Sequence, residues 1–128
     1  MRPSPSKPKS PERLAAELFG RRGETAAAWF LRLKGYRIRD TRVKTPVGEI
    51  DLVAERAGDL VFVEVKTRAR TDLEADAQVA VDQRRIMRAA RYYVSRHPRF
   101  ADSTLRFDMI FLAPWSWPRH IVNAFDAS

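Results

Sequence analysis

The sequence predicts an α/β protein, a mixed β-sheet flanked by helices, with its elements in the order α-β-β-β-α-β. Three observations predict it. Apolar residues recur at helical spacing in two separate stretches, 24–34 and 78–96. Between them lie three strand-like segments divided by turn residues. The last of these, LVFVEV, is almost continuously apolar, as a central strand covered on both faces must be.

Residues 1–11 hold four of the eight prolines, with Ser and Lys, and read as a disordered basic tail ahead of a single domain over 12–128. From Pro11 to Lys34 the pattern is helical, with Ser10 as N-cap and Gly20 and Gly23 dividing it into two pieces. The second piece carries AAAWFLRL and must be largely buried; Gly35 supplies its stop. Tyr36–Lys44 reads as an edge strand, punctuated by Pro46 and Gly48. Glu49–Glu55 and Leu60–Lys66 are strands joined by a tight hairpin over Arg56-Ala57-Gly58-Asp59. Residues 67–77 form a polar loop. In the helix 78–96, Ile86, Ala89, Ala90, Tyr93 and Val94 make one apolar face, and Arg84, Arg88, Arg91 and Ser95 line the opposite one. Pro98 ends it. Leu105–Leu112 is a further strand with Leu105, Phe107, Met109 and Phe111 on one side, and a short last strand is expected at Ile121–Ala124.

The 128 residues fit one domain, and 45% hydrophobic content suffices for one core. No apolar run approaches the roughly 18 residues of a membrane span, and no secretory leader is visible after the basic N-terminus. Cys is absent, so disulfides and thiolate ligands are excluded, which suits a cytoplasmic location. With only two His, a metal would be held by carboxylates, and such hard oxygen donors favour Mg²⁺ or Mn²⁺. The balance of 24 Lys+Arg against 16 Asp+Glu gives +8, with a pI near 10.6. Nucleic acid is the partner such an excess favours, since its phosphates reward clustered cations by counterion release. A basic surface kept for solubility is the plain alternative.

The chemistry is carried by strand parity. Alternate residues of a strand share a face. Glu64 and Lys66 of FVEVK therefore lie together, as do Glu49 and Asp51 of GEIDLV, with Ile50 and Leu52 behind them. A hairpin turning on Ala57-Gly58 sets Asp51 opposite Glu64 and Glu49 opposite Lys66. Facing residues stand about 5 Å apart at Cβ, so Asp51 and Glu64 repel unless a divalent cation or a proton lies between them. Such a site suits metal-assisted phosphodiester hydrolysis, with Lys66 positioning water and countering phosphate charge. An E-x-K pair alone is commonly just a surface salt bridge; its setting in an apolar strand, where charge is expensive, raises its significance. Glu24 is a third carboxylate candidate on the side of Ala27, Ala28 and Leu31, with simple stabilisation of a helix N-terminus as the alternative.

Taken together, GETAAAWFLRLKGY, GEIDLV, LVFVEVKTR and RFDMI resemble the YraN family of uncharacterised bacterial proteins, which is similar in turn to the PD-(D/E)XK nucleases, including archaeal Holliday-junction resolvases. The likeness covers roughly residues 20–125. It implies a restriction-endonuclease-like fold. It implies Asp51 as metal-binding Asp, Glu64 as acidic ligand and Lys66 as catalytic Lys. Glu24 matches a helix-borne metal-holding Glu, the main-chain carbonyl of Val65 a further ligand, and Gln83 a residue on the following helix. Where many relatives carry Lys near the start of that helix, this chain has Asp82 and Gln83, and Ile50 stands where the superfamily's Pro would precede Asp51. Resolvase-like relatives are often homodimers.

Elsewhere, residues 82–99 carry six Arg against one Asp, a stripe for phosphate contact or a solvated helix face. Arg68 and Arg70, just past the E-x-K strand, are better placed to touch a substrate. Trp115 and Trp117 suit stacking on bases or, as preferred here, closing the edge of the core. Asp108 is expected to be buried and bonded to a neighbouring backbone group or Arg, and His120 to be structural or exposed. The functional expectation is a Mg²⁺- or Mn²⁺-dependent endonuclease acting on DNA, including branched or repair intermediates. The alternatives are a catalytically silent nucleic-acid-binding module of the same fold and a basic interaction protein with an acidic partner.

Overall fold

A computed structural model of the chain describes residues 23–67, 75–113 and 117–125, with 75–82 as backbone alone. The expected tail, the N-terminal helix piece, Arg68, Arg70 and Trp115 lie outside the described residues. The elements run α1 (helical from 23 to 33), β1 (Arg37–Thr45), β2 (Gly48–Arg56), β3 (Asp59–Thr67), α2 (Ala75–Arg96), a 3₁₀ turn (Pro98–Phe100), β4 (Thr104–Leu112) and β5 (Arg119–Ile121). This is the predicted α-β-β-β-α-β order plus one short strand. No helix among the described residues is long and apolar enough to cross a membrane.

Helix α1 ends where Gly35 adopts φ 91°. The Tyr36 N–H bonds the Leu31 carbonyl and the Gly35 N–H that of Arg32, both at 3.0 Å, the paired bonds of a Schellman cap. Tyr36 then packs beside Leu31 in the core. A Cβ at Gly35 would touch nothing within 4 Å, so only the backbone resists substitution. Gly35→Ala is therefore expected to cost about 1–2 kcal/mol, the penalty of a left-handed L-residue, read as a lower urea midpoint at unchanged slope.

The five strands lie side by side in the order β1 to β5. All neighbours are antiparallel except β3 and β4, which run parallel because α2 carries the chain back between them. The β2–β3 hairpin turns on Ala57 (φ 51°) and Gly58 (φ 86°), both left-handed as a tight hairpin requires. Its register is the predicted one, from Arg56 opposite Asp59 to Leu52 opposite Val63. β3 is covered on both faces. Val61 and Val63 join Ala27, Ala28 and Leu31 of α1, while Leu60 and Phe62 join Ile86, Ala89, Ala90 and Tyr93 of α2.

Two elements differ from expectation by more than one residue. Helix α2 begins at Ala75, three residues before the apolar periodicity. The last strand is Arg119–Ile121, not Ile121–Ala124. Asn123 turns left-handed (φ 53°) and its N–H is taken by the Asp108 carboxylate at 2.9 Å, which ends the extended run. Asp108 itself is fully buried, as expected, and also accepts from Arg106 (3.0 and 2.8 Å) and His120 Nε2 (2.7 Å). Trp117 does not close the core edge: it is 87% exposed, because β5 pairs with β4 through Arg119–Ile121 and leaves Trp117 and Pro118 outside the sheet.

Candidate active site

The site forms where β2 departs from a regular strand. Residues two apart should share a face, yet Leu52 packs in the α1-side core and Ile50 in the α2-side core. This corrects the expectation that Ile50 and Leu52 lie together behind Asp51. Strand β1 shows the cause. Thr41 pairs Leu52 and Val43 pairs Ile50, and Arg42 between them sits at φ 49°. One left-handed residue reverses the pleat, and Asp51, between the two β2 partners, is where β2 reverses with it. An arginine held there costs about 1–2 kcal/mol, the kind of strain that gathers at functional positions.

The β2–β3 ladder stops at Leu52–Val63, so neither Asp51 with Glu64 nor Glu49 with Lys66 is paired across it as the hairpin arithmetic expected. In a continued ladder the Val65 N–H would cross to the backbone of residue 50. It donates instead to Asp51 Oδ2 at 2.8 Å. The side chain of Asp51 thus takes the place of a backbone acceptor. The Val65 carbonyl, which in a strand points to the same edge as its own N–H, is directed to this opening.

Glu24 arrives from α1. The helix approaches so closely that a Cβ on Gly23 would come 2.8 Å from Thr67 Cγ2 and 3.3 Å from Leu112 Cδ1; only glycine allows it. Carboxylate oxygens of Glu24, Glu49 and Asp51 all lie within 4.8 Å of one another. Glu64 stands beside them and is bridged to Lys66 Nζ at 3.1 Å. Glu24 is also paired with the Arg42 guanidinium.

Burial pushes the Asp51 carboxyl up to about 7, helped by the negative charge of Glu64 and then Glu24, against the Val65 N–H bond and Lys66, which favour ionisation. A carboxyl so displaced, with acidic neighbours and a lysine at hand, can hold a hard cation or exchange a proton near neutral pH. The donors are all oxygen, which fits Mg²⁺ or Mn²⁺ and not a soft metal.

The structure therefore brings together Glu24, Asp51, Glu64 and Lys66. It adds Glu49, whose signal was its position two residues before Asp51. Arg42 was also missed, because nothing in Thr41-Arg42-Val43 marks a left-handed residue. On α2, Gln83 is half-buried, and Arg84, Arg88 and Arg91 are exposed, opposite the apolar face as expected. Arg85, not singled out by sequence, lies over Gly48 at the start of β2, where a Cβ would meet its stem at 2.6 Å.

Residues 23–112 match the model of the uncharacterised protein family UPF0102. The chain is 50% identical to a UPF0102 protein of Rhodopseudomonas palustris (strain BisA53), over 98% of this chain and 96% of that protein. It is 50% identical to one of Parvibaculum lavamentivorans, over 88% and 84%. A third, from Bradyrhizobium sp. (strain ORS 278), is 50% identical over 98% and 89%.

Proposed function

The chain belongs to the uncharacterised protein family UPF0102, the YraN family, and within it we propose that this member is a metal-dependent endonuclease that hydrolyses phosphodiester bonds of DNA. One observation carries the reading: Asp51 leaves the β2–β3 ladder to lie half-buried among Glu24, Glu49 and Glu64, with Lys66 beside them. A fold does not gather so much like charge at a sheet discontinuity for stability, because each unneutralised carboxylate there opposes folding.

Glu24, Glu49, Asp51 and Glu64, with the Val65 carbonyl, are the groups that would hold the cation. A divalent ion there would polarise a phosphoryl oxygen and acidify water. Lys66 has a side chain only 14% exposed and is fixed by Glu64, so its ammonium is pre-set to orient a water and to offset charge on the phosphate. Asp51 titrates near 7 without a cation, so binding one near neutral pH would release its proton. The +8 charge and the exposed Arg84, Arg88 and Arg91 favour a polyanion. The likeness to resolvases suggests branched or repair intermediates in the cytoplasm, with a homodimer bringing two sites to one junction.

The test is a panel of labelled linear, flapped and four-way DNA with Mn²⁺. Product should form and should vanish in excess chelator. Lys66→Met is expected to lower cleavage by about 100-fold or more while Mn²⁺ binding, read by calorimetry, persists. Cleavage unaffected by chelator or by Lys66→Met would reject the assignment. Tight binding with no product on any substrate would favour the silent-module reading.

A further inference from the structure

A cleft of about 320 Å³ lies between α1 and β1, lined by Glu24, Thr25, Ala28, Arg32, Thr41 and Arg42. It opens directly onto the acidic site, because Glu24 belongs to both. Its own chemistry is the reverse of acidic: two guanidiniums and two hydroxyls against one carboxylate, and that carboxylate is already paired with Arg42. The Arg32 guanidinium lies 5.0 Å over the ring of Trp29, which restricts it before any ligand arrives. Among the described residues Arg32 is in no ion pair. Trp29, beneath Arg32, is 60% exposed.

Resting on the nucleic-acid reading above, we propose that this cleft binds a backbone phosphate of the strand being cut, one neighbouring the phosphate at Asp51. Arg32 and Arg42 supply fork-shaped donors that match phosphate oxygens, and the threonine hydroxyls add neutral ones. The left-handed backbone at Arg42 has a purpose on this view. It directs the side chain at the junction of cleft and acidic site, where it answers both Glu24 and an incoming anion. Guanidinium contacts of this kind set where the strand lies and carry no sequence information. The cleft therefore fixes register on the substrate and leaves the choice of bases open.

The full-length chain, with Ca²⁺ replacing Mn²⁺ to block cleavage, is titrated with a fluorescein-labelled single strand and with the matching duplex over a range of salt. Arg32→Gln, at an exposed position, is compared with Arg56→Gln at the hairpin end of β2, far from Asp51. One phosphate contact fewer should reduce the salt slope by about 0.7 on the single strand and about 0.9 on the duplex, and weaken binding about fivefold to eightfold at 0.1 M salt. Arg56→Gln should do neither. That result supports the cleft whether or not the chain cuts DNA. Equal slopes for the two variants would overturn it even if wild-type cleavage is robust. Absence of wild-type binding at low salt would overturn it together with the nucleic-acid reading.

Discussion

Asp51→Asn is expected to abolish cleavage, by about 1,000-fold or more, and at the same time to stabilise the metal-free protein. The two effects share one cause. The Asp51 carboxyl titrates near 7 in the fold against 3.8 for the ordinary group, chiefly because it is buried and faces Glu64. A raised pKa means that the native state binds the proton more tightly than the unfolded chain. The stabilisation is complete below about pH 3.8 and is lost as pH rises through 7. Above pH 7 the folded protein therefore carries an unfavourable charge worth about 2–4 kcal/mol. Asparagine removes the charge yet can still accept the Val65 N–H. At pH 8 in chelator, Asp51→Asn should melt roughly 10 °C above wild type, and the gap should close by pH 4. Millimolar Mn²⁺ should raise the wild-type melting temperature, by about 2.7 kcal/mol of stability when the ion is at 100 times its Kd, and leave the variant unmoved. An Asp51→Asn protein that is less stable at pH 8, or that still cuts, would sink the reading.

This exchange of stability for chemistry explains which parts of the molecule sequence could reveal. The hairpin register follows from Ala57-Gly58, since two left-handed residues leave few ways to close a β-ribbon. The coverage of β3 follows from its unbroken apolar run. The buried face of α2 follows from its 3.6-residue period. Each is a local rule applied to many residues at once. The site instead depends on a single exception. Parity assumes an unbroken pleat, and the left-handed Arg42 breaks it, sending Ile50 and Leu52 to opposite cores at the point where Asp51 meets Glu24 and Glu49. No turn residue announces that break; glycine or asparagine would have. Glu24 could not be assigned inward from helical spacing alone, because its reach depends on how closely Gly23 lets α1 approach β3 and β4. Trp117 was misjudged for the opposite reason: composition favoured burial, and strand pairing withheld it.

Asp108→Ala should show what a buried aspartate looks like when its role is structural. Its carboxylate accepts from Arg106 twice, from His120 Nε2 and from the Asn123 N–H, all between 2.7 and 3.0 Å. Arg106 in turn reaches Tyr36 Oη at 2.6 Å and Asp59 at 3.3 Å, and His120 Nδ1 lies 2.6 Å from Lys34 Nζ. The cluster ties β4 and β5 to the end of α1. Removing its centre takes the main carboxylate from a part-buried guanidinium and the acceptor from the His120 imidazole, at a cost of about 3–5 kcal/mol, or roughly 10–20 °C in melting temperature. Asp108→Asn, which keeps the shape and part of the bonding, should lose less, and it serves if the alanine variant fails to fold. The pH signature is opposite to that of Asp51. Burial alone would raise the Asp108 pKa, but bonds from His120, Arg106 and Asn123 outweigh it and hold the group below 3.8. Its contribution is present above that value and fades only as pH falls through the lower native one. The wild-type advantage over Asp108→Asn should therefore persist from pH 7 to pH 5 and shrink in stronger acid, while that of Asp51→Asn over wild type appears only as pH rises. The fold surrounds one aspartate with donors and the other with acids. If both variants gave the same pH slope, the distinction between a structural and a working carboxylate would fail, and with it the physical case for a cation at Asp51.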